Sequence, residues 1–172
     1  MSFAILLAVS VQAHVALAYP TPEIVQDINS VTAGGNFREF VNIANTTLFV
    51  ADDGIHGKEL WSTDGTTEGT QLVMDINPGE EESDIDDAIA FGDGALFQAY
   101  SPTYGSELWY SDGTTEGTRL VKDIHPSGGS YPSNFAVMNG IAYFQAEDDT
   151  HGAELWKTDG TEEGTEMVID IH

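Results

Sequence analysis

The sequence contains no cysteine, so it forms neither a disulfide framework nor a metal site built on thiolates. Basic residues are almost as scarce, because five Lys and Arg stand against 29 Asp and Glu and give a formal net charge of -24. A chain with this charge is repelled by nucleic acids and by anionic membrane surfaces. We therefore expect cations or basic molecules as partners, and no nucleic acid.

The sequence motifs of common catalytic sites are missing as well. The chain has no G-x-S-x-G, no P-loop, no G-x-G-x-x-G and no H-E-x-x-H. Carboxylates occur throughout so acidic a chain, and their presence does not single out a glycosidase pair. His56 and His151 hold equivalent positions, but Tyr104 stands at the position between them, which argues against a shared metal ligand. The sequence predicts no enzymatic activity and no required cofactor.

A hydrophobic run long enough to span a membrane is also missing. Residues 1–18 are apolar from Phe3 onward, lack acidic residues and end in an A-x-A pattern at Ala16 to Ala18. These features are typical of a secretory signal peptide that is cut before Tyr19. A membrane anchor is the rival interpretation, but a spanning helix needs roughly 20 apolar residues. We therefore expect a secreted, extracellular protein without a membrane span.

In a secreted chain, the sequence Asn45-Thr46-Thr47 is an acceptor for N-glycosylation. The alternative is a turn Asn that is never glycosylated, because the motif is short and common. The sequence leaves both interpretations of Asn45 open.

One phrase occurs three times along the chain. HGKELWSTDGTTEGTQLVMDI at 56–76 returns as YGSELWYSDGTTEGTRLVKDI at 104–124 and as HGAELWKTDGTEEGTEMVIDI at 151–171. Its tryptophans, Trp61, Trp109 and Trp156, recur at intervals of 48 and 47 residues. This period is far too long for a coiled coil and indicates a tandem repeat of supersecondary units.

Each repeat contains four short segments with the residue alternation of β-strands, separated by Gly-rich turns. Four antiparallel strands per repeat of this length are typical of a β-propeller blade. The sequence thus predicts an all-β domain, 19–172, with β-propeller-like blades of four antiparallel strands. Its units are about 29–76, 77–124 and 125–171, and a lone fourth strand, 23–28, precedes them.

The repeated residues carry a resemblance to a known family. Glu59-Leu60-Trp61, Asp64-Gly65-Thr66 and Gly69-Thr70, with their counterparts in the other two units, resemble the ELWxxDGT repeat family. That family comprises tandem units of about this length in secreted and surface proteins, and the match covers nearly all of the chain after residue 18. The resemblance implies a propeller-like fold but no particular chemistry, because the motif is structural.

Two sets of repeated residues are therefore interpreted first as structural. We expect Trp61, Trp109 and Trp156 to fill equivalent pockets between neighbouring blades; the alternative is a ring of sugar-stacking tryptophans. We expect Asp64, Asp112 and Asp159 to accept backbone hydrogen bonds in hairpins whose glycines are left-handed. Calcium in these loops is the weaker interpretation, because Asp64 and Glu68 alone fall short of the six to eight oxygens that Ca²⁺ takes.

The sharpest departure from the repeat is EEESDIDD at 80–87, six acidic residues in eight. A solvated charged loop is one interpretation. The other is a weak, multivalent site for Ca²⁺, a basic partner or a cationic mineral face. No EF-hand pattern is present. The candidate metal-binding residues are Glu80, Glu81, Glu82, Asp84, Asp86 and Asp87.

The phase of the repeat also has a consequence for assembly. The chain carries four copies of the fourth strand and three of each other strand. Three blades are fewer than the roughly four to eight that close a propeller, so the ring is expected to be incomplete. The sequence therefore predicts either a fragment with further C-terminal blades or self-association.

Two functions fit these observations. The first is a secreted, acidic, non-catalytic matrix or scaffold protein that binds Ca²⁺ or a mineral surface, as in the organic matrix of a calcified layer. Its partners would be cations, basic matrix proteins or polysaccharide. The second is a carbohydrate-binding or cell-surface adhesion module that uses an exposed aromatic residue such as Tyr104 or Tyr131. A weaker third is the propeller part of a larger secreted enzyme.

Overall fold

The structure, a computed structural model, describes residues 23–29 and 35–171, and in these it contains twelve strands and no helix. The first sheet comprises β1 (Arg38–Ile43), β2 (Thr46–Asp52), β3 (Lys58–Thr63) and β4 (Gln71–Met74). The second comprises β5 (Asp86–Phe91), β6 (Gly94–Ser101), β7 (Gly105–Ser111) and β8 (Arg119–Lys122). The third comprises β9 (Ser133–Met138), β10 (Ile141–Asp148), β11 (Gly152–Thr158) and β12 (Glu166–Ile169).

Each sheet is a meander of four consecutive antiparallel strands. The predicted all-β chain with three four-stranded antiparallel sheets is therefore confirmed. The predicted signal peptide, 1–18, lies outside the described residues. Within the described ranges, no helix is long and apolar enough to cross a membrane.

Tight turns connect the first two strands of each sheet. Between β9 and β10 the turn is Asn139-Gly140, and both residues have positive φ, +54° and +78°. Two successive left-handed residues suit a type I′ hairpin, which matches the right-handed twist of the strands. The strands β9 and β10 therefore form a tight hairpin.

The central strands carry apolar residues on both faces, since successive side chains of a strand point to opposite faces of the sheet. In β2, Leu48 and Val50 point to the second sheet, whereas Phe49 and Ala51 point to the opposite side. We call the face that packs against the next sheet the trailing face, and the opposite face the leading face.

Neighbouring sheets pack trailing face to leading face. One core lies between the first and second sheets, and its main contributors are Leu48, Val50, Leu60, Val73, Phe97, Ala99 and Trp109. An equivalent core lies between the second and third sheets, with Leu96, Leu108, Val121, Phe144, Ala146 and Trp156. The same positions of the repeat thus build both interfaces.

The first strands of the three sheets lie side by side, β1 next to β5 and β5 next to β9. Each has a β-bulge or register irregularity near a left-handed residue, Glu39, Asp87 or Asn134. These residues link the sheets: the Ala88 amide donates to Glu39 Oε2, and the Asn134 amide donates to Asp87 Oδ2, both at 3.2 Å. The sheets therefore converge at their first strands.

The segment 23–28, predicted to be a strand, has no strand assignment in the structure. The physical reason is that none of the described strands lies beside it to supply a ladder of hydrogen bonds. The segment nevertheless takes the place of a fourth strand, because Thr67 Oγ1 donates to Val25 O at 2.5 Å just as Thr115 Oγ1 donates to Val73 O at 2.7 Å. Ile28 packs on the leading face of the first sheet.

Candidate functional site

The six candidate carboxylates lie in the connection between β4 and β5 and at the start of β5. They do not share one environment. Glu82 is paired with Lys58, whose Nζ lies 2.6 Å from Glu82 Oε1. Asp87 lies in β5 and accepts the hydrogen bond from Asn134 described above. The other four, Glu80, Glu81, Asp84 and Asp86, are exposed.

The two uncharged residues of this segment point inward and attach it to the sheets. Ser83 is buried, and its amide and hydroxyl both donate to Lys58 O, at 3.2 and 3.0 Å. Ser83 O accepts from the Tyr100 amide at 2.6 Å, and Ile85 joins the core between the first two sheets. The segment therefore bridges β3 and β6 and presents its free carboxylates outward along a fixed path.

A polar cavity of about 230 Å³ adjoins this segment. Its lining includes Asp52, Glu80 and Glu82, together with the loop residues Gly54, Ile55 and Gly57. In residues 23–29 and 35–171, however, no three His, Asp or Glu side chains are grouped so as to hold a metal ion. The described carboxylates of this region are therefore spread along the surface and do not form one cluster.

Few of the basic side chains neutralise carboxylates. Besides the Lys58–Glu82 pair, Lys157 Nζ lies 3.0 Å from Glu166 Oε1. Arg119 instead donates to Gly160 O at 2.9 Å, and Lys122 donates to Thr165 O at 2.7 Å. Because these two cations hold the second and third sheets together, the surface stays strongly negative.

The repeated Asp residues of the DGT hairpins are occupied by internal hydrogen bonds. Asp64 Oδ1 accepts from Thr66 N at 2.9 Å and from Thr66 Oγ1 at 2.7 Å, and these bonds lower the pKa of Asp64. Gly65 is left-handed, and a Cβ at Gly69 would collide with the Asp64 carboxylate. The same geometry recurs at Asp112 and Asp159. These carboxylates organise turns.

The repeated tryptophans are buried on the leading faces of their sheets. Trp109 lies in the core between the first and second sheets, and Trp156 lies in the core between the second and third. Trp61 packs with Phe49 and Ile28. A buried indole face is not available to a sugar, so the interpretation as a sugar-stacking ring of tryptophans is wrong.

Two histidines form equivalent pairs with aspartates at the loops between the second and third strands. His56 Nδ1 lies 2.7 Å from Asp53, and His151 Nδ1 lies 2.8 Å from Asp148. Burial alone would raise the pKa of Asp148, but hydrogen bonds from His151 and Thr150 outweigh it and lower that pKa to about 2. In the second unit Ser101 and Tyr104 hold these positions.

The exposed residues proposed for glycosylation and sugar binding lie in turns and loops. Asn45 is exposed in the turn between β1 and β2. Tyr104 and Tyr131 are exposed on loops that touch, because the Tyr131 amide donates to Ser106 O at 3.1 Å. The loop that carries Tyr131 therefore lies beside the start of β7, close to the β6–β7 loop that carries Tyr104.

Sequence reasoning missed the most deeply buried charged residues, Glu59, Glu107 and Glu154, each the Glu of the ELW phrase. Glu107 accepts four hydrogen bonds, from Ile124 N (3.0 Å), His125 N (3.2 Å), Ser130 N (3.1 Å) and Ser130 Oγ (2.6 Å). Glu59 and Glu154 accept from the equivalent amides of Ile76 and Ile171. The available signal was an unvarying Glu directly before the Leu-Trp pair of each third strand.

Burial sets the ionisation of these carboxyls. It raises the pKa of Glu59 to about 7, against hydrogen bonds from Ile76 and Ser83 that favour the carboxylate. Burial raises the pKa of Glu107 as well. An acid whose pKa is higher in the folded state than in the unfolded state contributes to the stability of the fold. This contribution is complete below the pKa of the unfolded state and is lost as the pH rises through the pKa of the folded state.

We therefore expect the melting temperature to fall by roughly 2–6 °C between about pH 5 and about pH 8, because Glu59 ionises in a buried site over this interval. Differential scanning calorimetry at constant ionic strength measures this slope. The variant Glu59→Gln does not ionise and is expected to show a flatter profile. An identical slope in wild type and Glu59→Gln would assign the effect to other groups.

Comparison with known proteins adds little to this geometry. No protein-family model and no curated protein matches the chain. Among solved structures, the chain is similar to the computationally designed Ika8 protein, with a TM-score of 0.42 and 17% sequence identity. That likeness covers 78% of this chain and 36% of the designed protein. The chain thus spans little more than a third of the designed protein's length.

Proposed function

We propose that the three sheets are consecutive blades of a β-propeller-like domain. The side-by-side packing of β1, β5 and β9 supports this arrangement, because propeller blades converge at their first strands. The trailing-to-leading packing of all three sheets supports it as well, since each blade then contacts its immediate neighbours.

We propose further that the protein is a secreted, acidic, non-catalytic matrix or scaffold protein that binds Ca²⁺ or a cationic mineral surface. One observation carries this proposal: the exposed carboxylates greatly outnumber their cationic partners, and Arg119 and Lys122 are bound to backbone carbonyls. A rigid all-β scaffold then displays fixed negative charge to the solvent.

The acidic segment 80–87 is the part of this surface best placed to bind a cation. Inward anchoring by Ser83 and Ile85 holds Glu80, Glu81, Asp84 and Asp86 along an outward-facing path. Ca²⁺ prefers carboxylate oxygens and tolerates irregular geometry. Without a chelating cluster, each contact is weak, and binding strength comes from many contacts at once.

Calcium is expected to raise the melting temperature by about 3 °C or more when about 5 mM CaCl₂ replaces a chelator at equal ionic strength. The physical reason is relief of self-repulsion among the carboxylates of the folded state. NaCl at the same ionic strength is the control for simple screening. Equal melting temperatures in CaCl₂ and in chelator would contradict the proposed cation binding.

A pair of charge-matched variants locates the site. One neutralises the acidic segment with Glu80→Gln, Glu81→Gln, Asp84→Asn and Asp86→Asn. The other neutralises four exposed hairpin carboxylates with Glu68→Gln, Glu116→Gln, Glu162→Gln and Glu163→Gln. Equilibrium dialysis is expected to show a larger loss of bound Ca²⁺ in the first variant, and an equal loss in both would argue against a special role for 80–87.

A carbohydrate-binding module is the second candidate, and the neighbouring exposed loops of Tyr104 and Tyr131 favour it. A sugar site binds with a discrete stoichiometry, depends little on salt, and loses affinity when one stacking aromatic is replaced. Binding to a glycan that survives high salt and is abolished by Tyr131→Ala would therefore replace the cation-binding proposal.

A further inference from the structure

The trailing face of the third sheet is open, although the same face of the first two sheets is buried. Leu108 in the second sheet is 0% exposed, whereas the equivalent Leu155 is 38% exposed. Ile124 is 5% exposed, whereas the equivalent Ile171 is 71% exposed. Repeat units bury their apolar faces by stacking, so this face has the composition of an interface and lacks its neighbour.

The leading face of the first sheet is covered only in part, because Ile28 packs on the buried Phe49 and Trp61 but leaves part of the face exposed. Phe40 is 64% exposed and stacks on Phe49 with 5.7 Å between ring centroids. The equivalent pair in the third sheet, Phe135 on Phe144 at 5.3 Å, belongs to the core shared with the second sheet. A predominantly apolar cavity of about 270 Å³ adjoins Phe40 and is also lined by Gly65.

The two internal interfaces show which side chain fills this cavity. At each, the last residue of a first strand packs against the DGT glycine of the next sheet. Ile43 reaches to 3.4 Å from the position of a Cβ at Gly113, and Phe91 reaches to 3.1 Å from that position at Gly160. No atom of the described residues lies within 4 Å of that position at Gly65.

The side chain that matches this cavity is on the open trailing face of the third sheet. Met138 ends β9 as Ile43 ends β1 and Phe91 ends β5. It is 58% exposed, whereas Ile43 and Phe91 are buried. A flexible thioether of this length suits an irregular apolar cavity.

We propose that the trailing face of one copy docks on the leading face of a second copy, with Met138 entering the cavity beside Gly65. The interface repeats the contacts that already join the sheets within the chain. It is heterologous, because it joins two different faces, and it therefore builds a closed ring or an open filament.

The segment 23–28 governs access to this interface. It lies where the fourth strand of the second copy would dock, and its sequence EIVQDI has the same pattern as EMVIDI at 166–171. It forms no strand ladder, and Ile24 and Val25 are exposed. The segment lines the cavity beside Gly65 with Val25, Gln26 and Ile28. In the proposed interface the incoming fourth strand takes the place of this segment and of its lining residues, because that strand comes attached to three paired strands and a larger apolar face.

Charge opposes this docking. Each copy carries a formal charge of -24, so association is expected to strengthen as salt screens the repulsion. The proposal does not depend on the binding of Ca²⁺, since screening by NaCl alone is sufficient.

Light scattering over a concentration series tests the docking. In about 0.5 M NaCl we expect the mass to rise above that of one chain, and we expect Met138→Asp or Phe40→Asp to weaken association about tenfold or more. Ile55→Asp is the matched control, because Ile55 is an equally exposed residue of the β2–β3 loop, on the rim of the polar cavity beside Glu80. It should associate like wild type.

Mixing Met138→Asp with Phe40→Asp distinguishes docking between two different faces from a symmetric dimer that uses the same face of both copies. Met138→Asp keeps an intact leading face and Phe40→Asp keeps an intact trailing face, so the two together are expected to form one-to-one dimers under conditions in which each variant alone stays monomeric. Circular dichroism checks that both are folded. A wild type that keeps the mass of one chain in every condition, or variants that associate like wild type, would overturn the proposal.

Discussion

Replacing Glu107 by Ala is expected to lower the free energy of unfolding by about 3–5 kcal/mol, one of the largest effects that any single side chain should have here. The Glu107 carboxylate accepts three backbone amides and one hydroxyl in a fully buried site. Alanine leaves these donors without an acceptor, and buried donors that lose their partner cost more than the bond itself contributes.

Urea denaturation measures this change, and two variants separate its causes. Glu107→Gln keeps the shape but places an amide N–H₂ opposite backbone donors, so we expect an intermediate loss of about 1–3 kcal/mol. Glu116→Ala, on the exposed hairpin of the same sheet, should change stability by less than about 0.5 kcal/mol. A Glu107→Ala protein within about 1 kcal/mol of wild type would show that water replaces the carboxylate.

Trp109→Ala is expected to cost about 3–5 kcal/mol, because it removes a large side chain from the core between the first and second sheets. The substitution should also lower the cooperativity of unfolding. Units of a repeat protein are coupled through the interface with their neighbour, so a cavity there loosens the first sheet from the other two.

Trp61→Ala is the matched comparison for this experiment. Trp61 is buried to the same degree and occupies the same position of the repeat, but it faces the segment 23–29 rather than another sheet. We expect Trp61→Ala to lower the melting temperature less than Trp109→Ala does and to leave a single unfolding transition. Equal losses in the two variants, both with one sharp calorimetric transition, would contradict coupling through Trp109.

The strands and their grouping were accessible from the sequence because they depend on local signals. Alternating apolar residues mark the strands, and pairs such as Asn139-Gly140 mark the hairpins. Since each sheet is formed by consecutive strands, no long-range pairing had to be guessed. The segment 23–28 was predicted incorrectly because its local pattern is that of a strand, whereas strand formation also requires a neighbouring strand for its hydrogen bonds.

The buried carboxylates were not accessible, because their environment is created by residues distant in sequence. Glu is among the residue types that are rarely buried, so Glu107 would ordinarily be assigned to a solvent-facing position. Its partner Ser130 lies 23 positions further along, beyond the fourth strand. The acidic segment was read as one continuous charged run, whereas Ser83 and Ile85 divide it into inward and outward residues.

The hydrogen bond from Ser130 to Glu107 has a consequence for how such a gene can grow. Glu107 belongs to the second unit, and Ser130 belongs to the chain that leads into the third. A duplication that adds a whole number of repeats again supplies one Glu for each Ser that follows it, wherever in the repeat the duplicated segment begins. An insertion of any other length leaves a Glu or a Ser in the fold without its hydrogen-bond partner. Selection against such unpaired groups would allow the number of repeats to change while it keeps the length of each repeat nearly constant.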